Sequence, residues 1–110
     1  MKTLFDSFAE IDRQRAASGR LYREFLRVPA LSAGLYVLPA GGTDPQKPHR
    51  EDEIYYVIRG RARCQAGNED REVSAGSVIF VAAELEHRFH DIEEELAVLV
   101  LFAPAESQSG

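Results

Sequence analysis

Gln46-Lys47-Pro48-His49-Arg50-Glu51-Asp52-Glu53-Ile54-Tyr55-Tyr56-Val57-Ile58-Arg59-Gly60 begins polar and broken by proline, then turns into a run rich in β-branched and aromatic residues. Side chains alternate across a strand, so His49, Glu53, Tyr55 and Val57 share one face if no bulge intervenes. A histidine and a carboxylate on one face can hold a hard or borderline divalent cation. Tyr55 then lines the pocket, where its hydroxyl can orient a substrate or a water. Glu51 has the same parity and could be a fourth ligand or a general base; the plainer reading is a surface acid in a charged turn.

A second stretch, Gly76-Ser77-Val78-Ile79-Phe80-Val81-Ala82-Ala83-Glu84-Leu85-Glu86-His87-Arg88-Phe89-His90-Asp91, is an apolar strand that enters a polar turn. His87 opens the strand after that turn and supplies a third ligand where the two strands face each other. His90 follows three residues later and points to the opposite face of a straight strand, so it would need a bulge to join.

Outward from these two stretches the chain keeps one texture. Strands are expected near 21–28, 31–38, 46–50, 53–59, 61–66, 70–74, 77–82, 86–91 and 96–103, punctuated by Gly41-Gly42, Gly60, Gly67-Asn68 and Gly76. The acidic run Glu93-Glu94-Glu95 reads as a solvated turn between two of them. Leu4, Phe8 and Ile11 recur at helical spacing within residues 1–20. Ser7 and Glu10 match a capping box, which would start that helix late, and Gly19 is its stop. Many short strands behind one short helix predict an all-β sandwich or barrel over 21–103, with a disordered tail over 104–110.

Leu31 to Leu38 and Leu96 to Phe102 are apolar at both parities. A strand with one wet face alternates with polar residues, so the second face of these two must be covered. The N-terminal helix or a second copy of the chain would do it, and a homodimer is expected on this ground.

At 110 residues the chain makes one domain. Its 13 basic and 18 acidic residues give a net charge of −5, with the arginines scattered, which argues against nucleic acid as a partner. No stretch has the length of a membrane span, and the N-terminus does not read as a signal peptide. Cys64 alone permits no intrachain disulfide and fits a packed thiol in a reducing cytoplasm.

The two stretches together resemble the two motifs of the cupin superfamily. The first family motif runs Gly, five residues, His-x-His, three or four residues, Glu, six residues, Gly; here stand His49, three residues, Glu53, six residues and Gly60. The second runs Gly, five residues, Pro-x-Gly, two residues, His, three residues, Asn; here Gly76 and His87 match, with Asp91 at the Asn position. The resemblance covers roughly residues 30–103 and implies a double-stranded β-helix, or jelly-roll barrel, with a metal held by three His and one Glu. Lys47 occupies the first His position, and Ala82 and Glu84 replace the Pro and Gly of the second motif. A protonated lysine is no ligand, so the family positions leave His49, Glu53 and His87. Such a set, with open positions, suits Fe, Mn, Ni or Zn.

Lys47 itself either snorkels to solvent, pairs with Glu53 in place of the metal's charge, or greets an anionic substrate, in that order. A histidine at 47 would restore the family's fourth ligand. The resemblance permits dioxygenase, isomerase or decarboxylase chemistry on a small molecule, and equally a non-catalytic sensor or ligand-binding module that needs no metal.

Overall fold

The computed structural model describes residues 3–107. Ser7 starts α1 (Phe8–Ser18): its side chain accepts from the Glu10 amide, and Gly19 ends the helix at φ 74°, where a side chain would be strained. The strands follow as β1 (Tyr22–Val28), β2 (Leu31–Leu38), β3 (Asp52–Ala66), β4 (Glu69–Ser74), β5 (Val78–Val81) and β6 (His87–Ala103). They are ordered β1-β2-β6-β3-β4, with β5 also paired to β3, and all pairings are antiparallel. Among the described residues no helix is long and apolar enough to cross a membrane.

The sheet closes because β3 and β6 are long and bent. Their pairing slips between Val57 and Arg59, between Arg59 and Arg61, and between Arg61 and Arg63. Each slip is a bulge that bends the strand and increases its twist. The two ends of β3 thus serve opposite parts of the barrel, and the result is a double-stranded β-helix. Tyr55, Val57, Cys64, Val81, Phe89, Leu96, Val98 and Val100 fill the interior. On the outside, α1 lays Ile11 against Leu35, Val37 and Ala97, with Phe8, Phe25 and Ile58 packed alongside. The helix therefore covers part of the second apolar face of β2 and β6. Farther along the same outer surface Ile54, Tyr56, Val78 and Phe80 stay exposed.

Several sequence expectations change here. Residues 53–59 and 61–66 form one strand, because Gly60 is a bulge rather than a turn. Its φ is 97°, and a Cβ there would lie 2.1 Å from the Glu95 carbonyl oxygen. The two segments 86–91 and 96–103 likewise fuse into β6. Glu93, Glu94 and Glu95 are strand residues, not a turn: Glu93 and Glu94 face Arg61, and Glu95 pairs with Arg59.

The expected strand at 46–50 is absent; Pro39 to Arg50 is irregular apart from the turn at 40–41 and a bend at 50. Pro45 and Pro48 lack amide hydrogens for a ladder. Asp44 organises the segment instead, accepting from the amides of Gln46 and Phe89 and from the Tyr36 hydroxyl.

The tail expected to be disordered from 104 is pinned over 105–107. The amides of Ala105, Glu106 and Ser107 donate to the Pro29 carbonyl, Ser32 Oγ and the Glu51 carboxylate. Residues 108–110 lie outside the described range.

Candidate metal centre

Three elements bring His49, Glu53 and His87 together. Glu53 is the second residue of β3, held between Val81 of β5 and Phe102 of β6, so its direction is fixed by two ladders. His87 is the first residue of β6, paired with Ala66 at the far end of β3. His49 comes from the irregular segment, anchored where its carbonyl accepts the Glu84 amide at 2.7 Å. One ligand atom from each residue lies within 4.8 Å of the other two. The side chains of Glu53 and His87 are 1% exposed and that of His49 is 17% exposed.

The protons of this cluster can be assigned in part. His87 Nδ1 is 2.8 Å from the Leu85 carbonyl, which only accepts, so Nδ1 carries the hydrogen. The neutral ring then points a bare Nε2 lone pair at Glu53 Oε1, 2.8 Å away. The pair is at ion-pair distance but is not aligned as a hydrogen bond. Glu53 Oε1 and Oε2 and His87 Nε2 are all buried without a hydrogen-bond partner among the described residues. Facing acceptors at such a distance repel unless a cation, a proton or a metal, relieves them. Burial opposes the imidazolium of His87, but Glu53 and the Leu85 carbonyl outweigh it and raise the pKa. His49 is also raised, first by its bond to Glu106, against burial and with help from Glu53. The donor set fits a divalent cation: imidazole nitrogens, a carboxylate, and orphaned lone pairs in a dry place.

A hydrogen-bonded chain backs the cluster. Gln46 Oε1 accepts from the Tyr55 hydroxyl at 3.0 Å and lies 3.2 Å from His49 Nε2. Its amide nitrogen donates to Asp44 Oδ2 at 2.7 Å, which fixes which way the amide faces. Tyr55 is buried, and burial together with Glu53 pushes its pKa well up, so it acts as a neutral hydroxyl. Beside His49 opens a cavity of about 270 Å³, walled by Tyr22, Tyr36, Val100 and Phe102, with Gln46 and Glu106 as polar members.

The other sequence candidates fall elsewhere. Lys47 is exposed, makes no ion pair among the described residues, and lines a separate polar cavity with Asp44 and Arg88. Glu51 is not a surface acid: it is 6% exposed, lies outside the three-residue cluster and accepts from Ser107. His90 stays off the site, 2.8 Å from Asp70 on the surface. Sequence reasoning does not single out Gln46, Asp44 or Glu106. The prolines around Gln46 are the available signal that parity fails there; nothing in the tail composition points to Glu106.

The cupin domain family model matches residues 34–103. The Streptomyces coelicolor protein SCO3923 is 50% identical over 98 residues, spanning 89% of this chain and 93% of that one. Among solved structures, TT1209 from Thermus thermophilus superposes with a TM-score of 0.72 at 20% identity, over 92% of this chain and 97% of that one. A cupin 2 conserved barrel domain protein from Rhodopseudomonas palustris gives 0.70 at 19% identity, with 79% of this chain covering 62% of its length.

Proposed function

This chain belongs to the cupin family, and on that premise we propose that it is a divalent-metal cupin acting on a small molecule in the cavity beside His49. The observation that carries the reading is the set of orphaned buried atoms: both Glu53 oxygens and His87 Nε2 converge without a hydrogen-bond partner among the described residues. His49, Glu53 and His87 would hold the ion, which when bound supplies Lewis acidity to an oxygen of the substrate. The chain's own contribution is orientation and exclusion of water. Tyr22, Tyr36, Val100 and Phe102 present apolar and aromatic surface, so the favoured substrate is small, largely apolar and tipped with an oxygen donor. Gln46 and Tyr55 fix the polar end next to His49. Dioxygenase, isomerase and decarboxylase reactions are all compatible with these parts.

Elemental analysis of the purified protein, followed by melting with and without chelator, tests the reading. Bound metal stabilises by mass action, so chelation should lower Tm and added Fe, Mn, Ni or Zn should restore it. No metal on purification and no shift with any of the four would overturn it.

A second reading, a metal-free ligand-binding module, draws on Lys47, which leaves the cluster one histidine short of the family's set and points to solvent. Ligand-induced stabilisation in chelated protein, equal to that with metal, would favour it. Pairing with a second copy belongs to either reading, through Ile54, Tyr56, Val78 and Phe80 on the outer face. Sedimentation of Phe80→Asp as a monomer where the parent is a dimer would support that pairing.

A further inference from the structure

We infer that the Tyr22 hydroxyl is a specificity determinant of the cavity beside His49, left free to donate to an acceptor oxygen on the ligand. Three tyrosines converge on this cavity and the cluster next to it. The hydroxyl of Tyr36 donates to Asp44, and that of Tyr55 donates to Gln46. The hydroxyl of Tyr22 is buried and has no hydrogen-bond partner among the described residues. A buried O–H without an acceptor is destabilising until something meets it. Burial, with the fields of Glu106, Glu24 and Glu53, pushes the Tyr22 pKa well up, so the group keeps its hydrogen.

The fold makes room for this hydroxyl. In the β1–β2 ladder Tyr22 stands opposite Tyr36, and the two rings meet edge to face with centroids 6.2 Å apart. The tip of the Tyr22 ring leans over Gly34, where a Cβ would lie 2.2 Å from both the hydroxyl oxygen and Cζ. Gly34 shares the inward face of β2 with Tyr36 and pairs with Val100 of β6, another interior residue. Tyr36 and Val100 both wall the cavity, as Tyr22 does. The hydroxyl thus sits inside the barrel among the cavity's own lining, in space that a missing side chain provides. Phenylalanine would fill that space equally well, without adding an unmet donor. The polar groups by His49 are already committed: Gln46 Oε1 meets Tyr55 and His49, and its amide nitrogen donates to Asp44. Tyr22 is therefore a second, separate polar point in a mainly apolar cavity. The ligand class that fits is a small apolar body with one oxygen for the cluster and a second, carbonyl-like oxygen to accept from Tyr22.

The inference rests on the reading of this cavity as the substrate site, and its first test needs no ligand. Tyr22→Phe, melted as metal-free protein, should keep the parent's Tm or exceed it, since no hydrogen bond is lost. A clearly lower Tm would show that the hydroxyl already has a protein partner, and would overturn the inference. The second test uses short saturated carboxylates of increasing chain length, each with and without a keto oxygen remote from the carboxyl. They are titrated calorimetrically into parent and Tyr22→Phe, both Zn²⁺-loaded and chelated. For at least one chain length the keto oxygen should tighten binding to the parent about 10-fold, the worth of one neutral hydrogen bond. Tyr22→Phe should lose that gain. Equal binding of keto and plain acids by the parent, or a keto gain that survives in Tyr22→Phe, sinks the inference and leaves the cavity reading standing. A parent that binds none of these acids sinks both. A keto gain that is lost in Tyr22→Phe, yet is equal with and without Zn²⁺, supports the inference and counts against the metal reading alone.

Discussion

His87 Nε2 and Glu53 Oε1 stand 2.8 Å apart in the dry interior, with the hydrogen of the imidazole committed to the Leu85 carbonyl on the other side of the ring. Glu53→Gln puts an amide donor opposite that lone pair. At a pH where His87 is neutral, the metal-free variant should be more stable than the metal-free parent by about 1 kcal/mol, the worth of one satisfied buried acceptor. The same variant should retain little metal. Calorimetry and elemental analysis on one preparation check both halves, and a metal-free variant less stable than its parent at alkaline pH contradicts the assignment.

His49 and His87 both have raised pKa values in the folded chain. Their ion pairs therefore stabilise the metal-free protein fully below the unfolded histidine value of about 6.5, and that contribution is lost as pH rises through the folded values. Metal binding runs the other way, because each imidazole must first release its proton. Chelated protein should melt higher at about pH 6 than at about pH 8, and the Zn²⁺-loaded protein should reverse that order. Melting curves at the two pH values, with and without Zn²⁺, decide it.

Lys47 and Gln46 offer a direct comparison. Lys47 holds the family's histidine position in sequence, yet it is exposed, whereas Gln46 touches His49 and Tyr55. Gln46→His should tighten Zn²⁺ binding by adding an imidazole beside the cluster. Lys47→His should change it little, contrary to what the motif spacing implies. Dye competition on the two variants measures the difference, and a gain confined to Lys47→His would mean that the 44–49 segment is differently set in solution.

Gly60 and Gly76 both have positive φ but differ in their surroundings. A Cβ at Gly60 would press on the Glu95 carbonyl oxygen and on Leu96 Cα, while one at Gly76 meets nothing within 4 Å. Gly76→Ala should cost the backbone strain alone, about 1–2 kcal/mol. Gly60→Ala should cost more than about 4 kcal/mol, since backbone must move against backbone. Urea unfolding compares them, and equal losses would show that the close approach at Gly60 is not tight.

The strands are legible in the sequence wherever one local rule governs. Ser7 and Gly19 bound the helix through capping chemistry, and the apolar runs of β2 and β6 announce burial on both faces. Gly60 and Glu93 to Glu95 mislead because glycine and charge mark bulges and exposed strand faces as well as turns. The separation depends on which partner strand lies opposite, and that is a long-range fact. In the site, Glu53 and Tyr55 follow from parity inside a true strand. His49 does not, since two prolines put it outside the ladder, and it reaches the cluster by way of Asp44 and the Glu84 amide. Glu106 is illegible for a simpler reason: its contact with His49 spans about half the chain and obeys no spacing rule.

The irregular segment between β2 and β3 has one more consequence. Two of the three clustered side chains are carried by the ladder itself, and altering their backbone would mean re-pairing the barrel. The third rides on residues 39–51, which contribute no ladder bonds. Scaffold and chemistry can therefore be rewritten separately in this chain. Substitutions within that span that spare Asp44, which takes the Phe89 amide, and Glu51, which takes Ser107, can change the coordinating group, the charge beside it and the width of the entrance without re-pairing a strand. A sheet this constrained thus carries a site that remains open to revision at one edge.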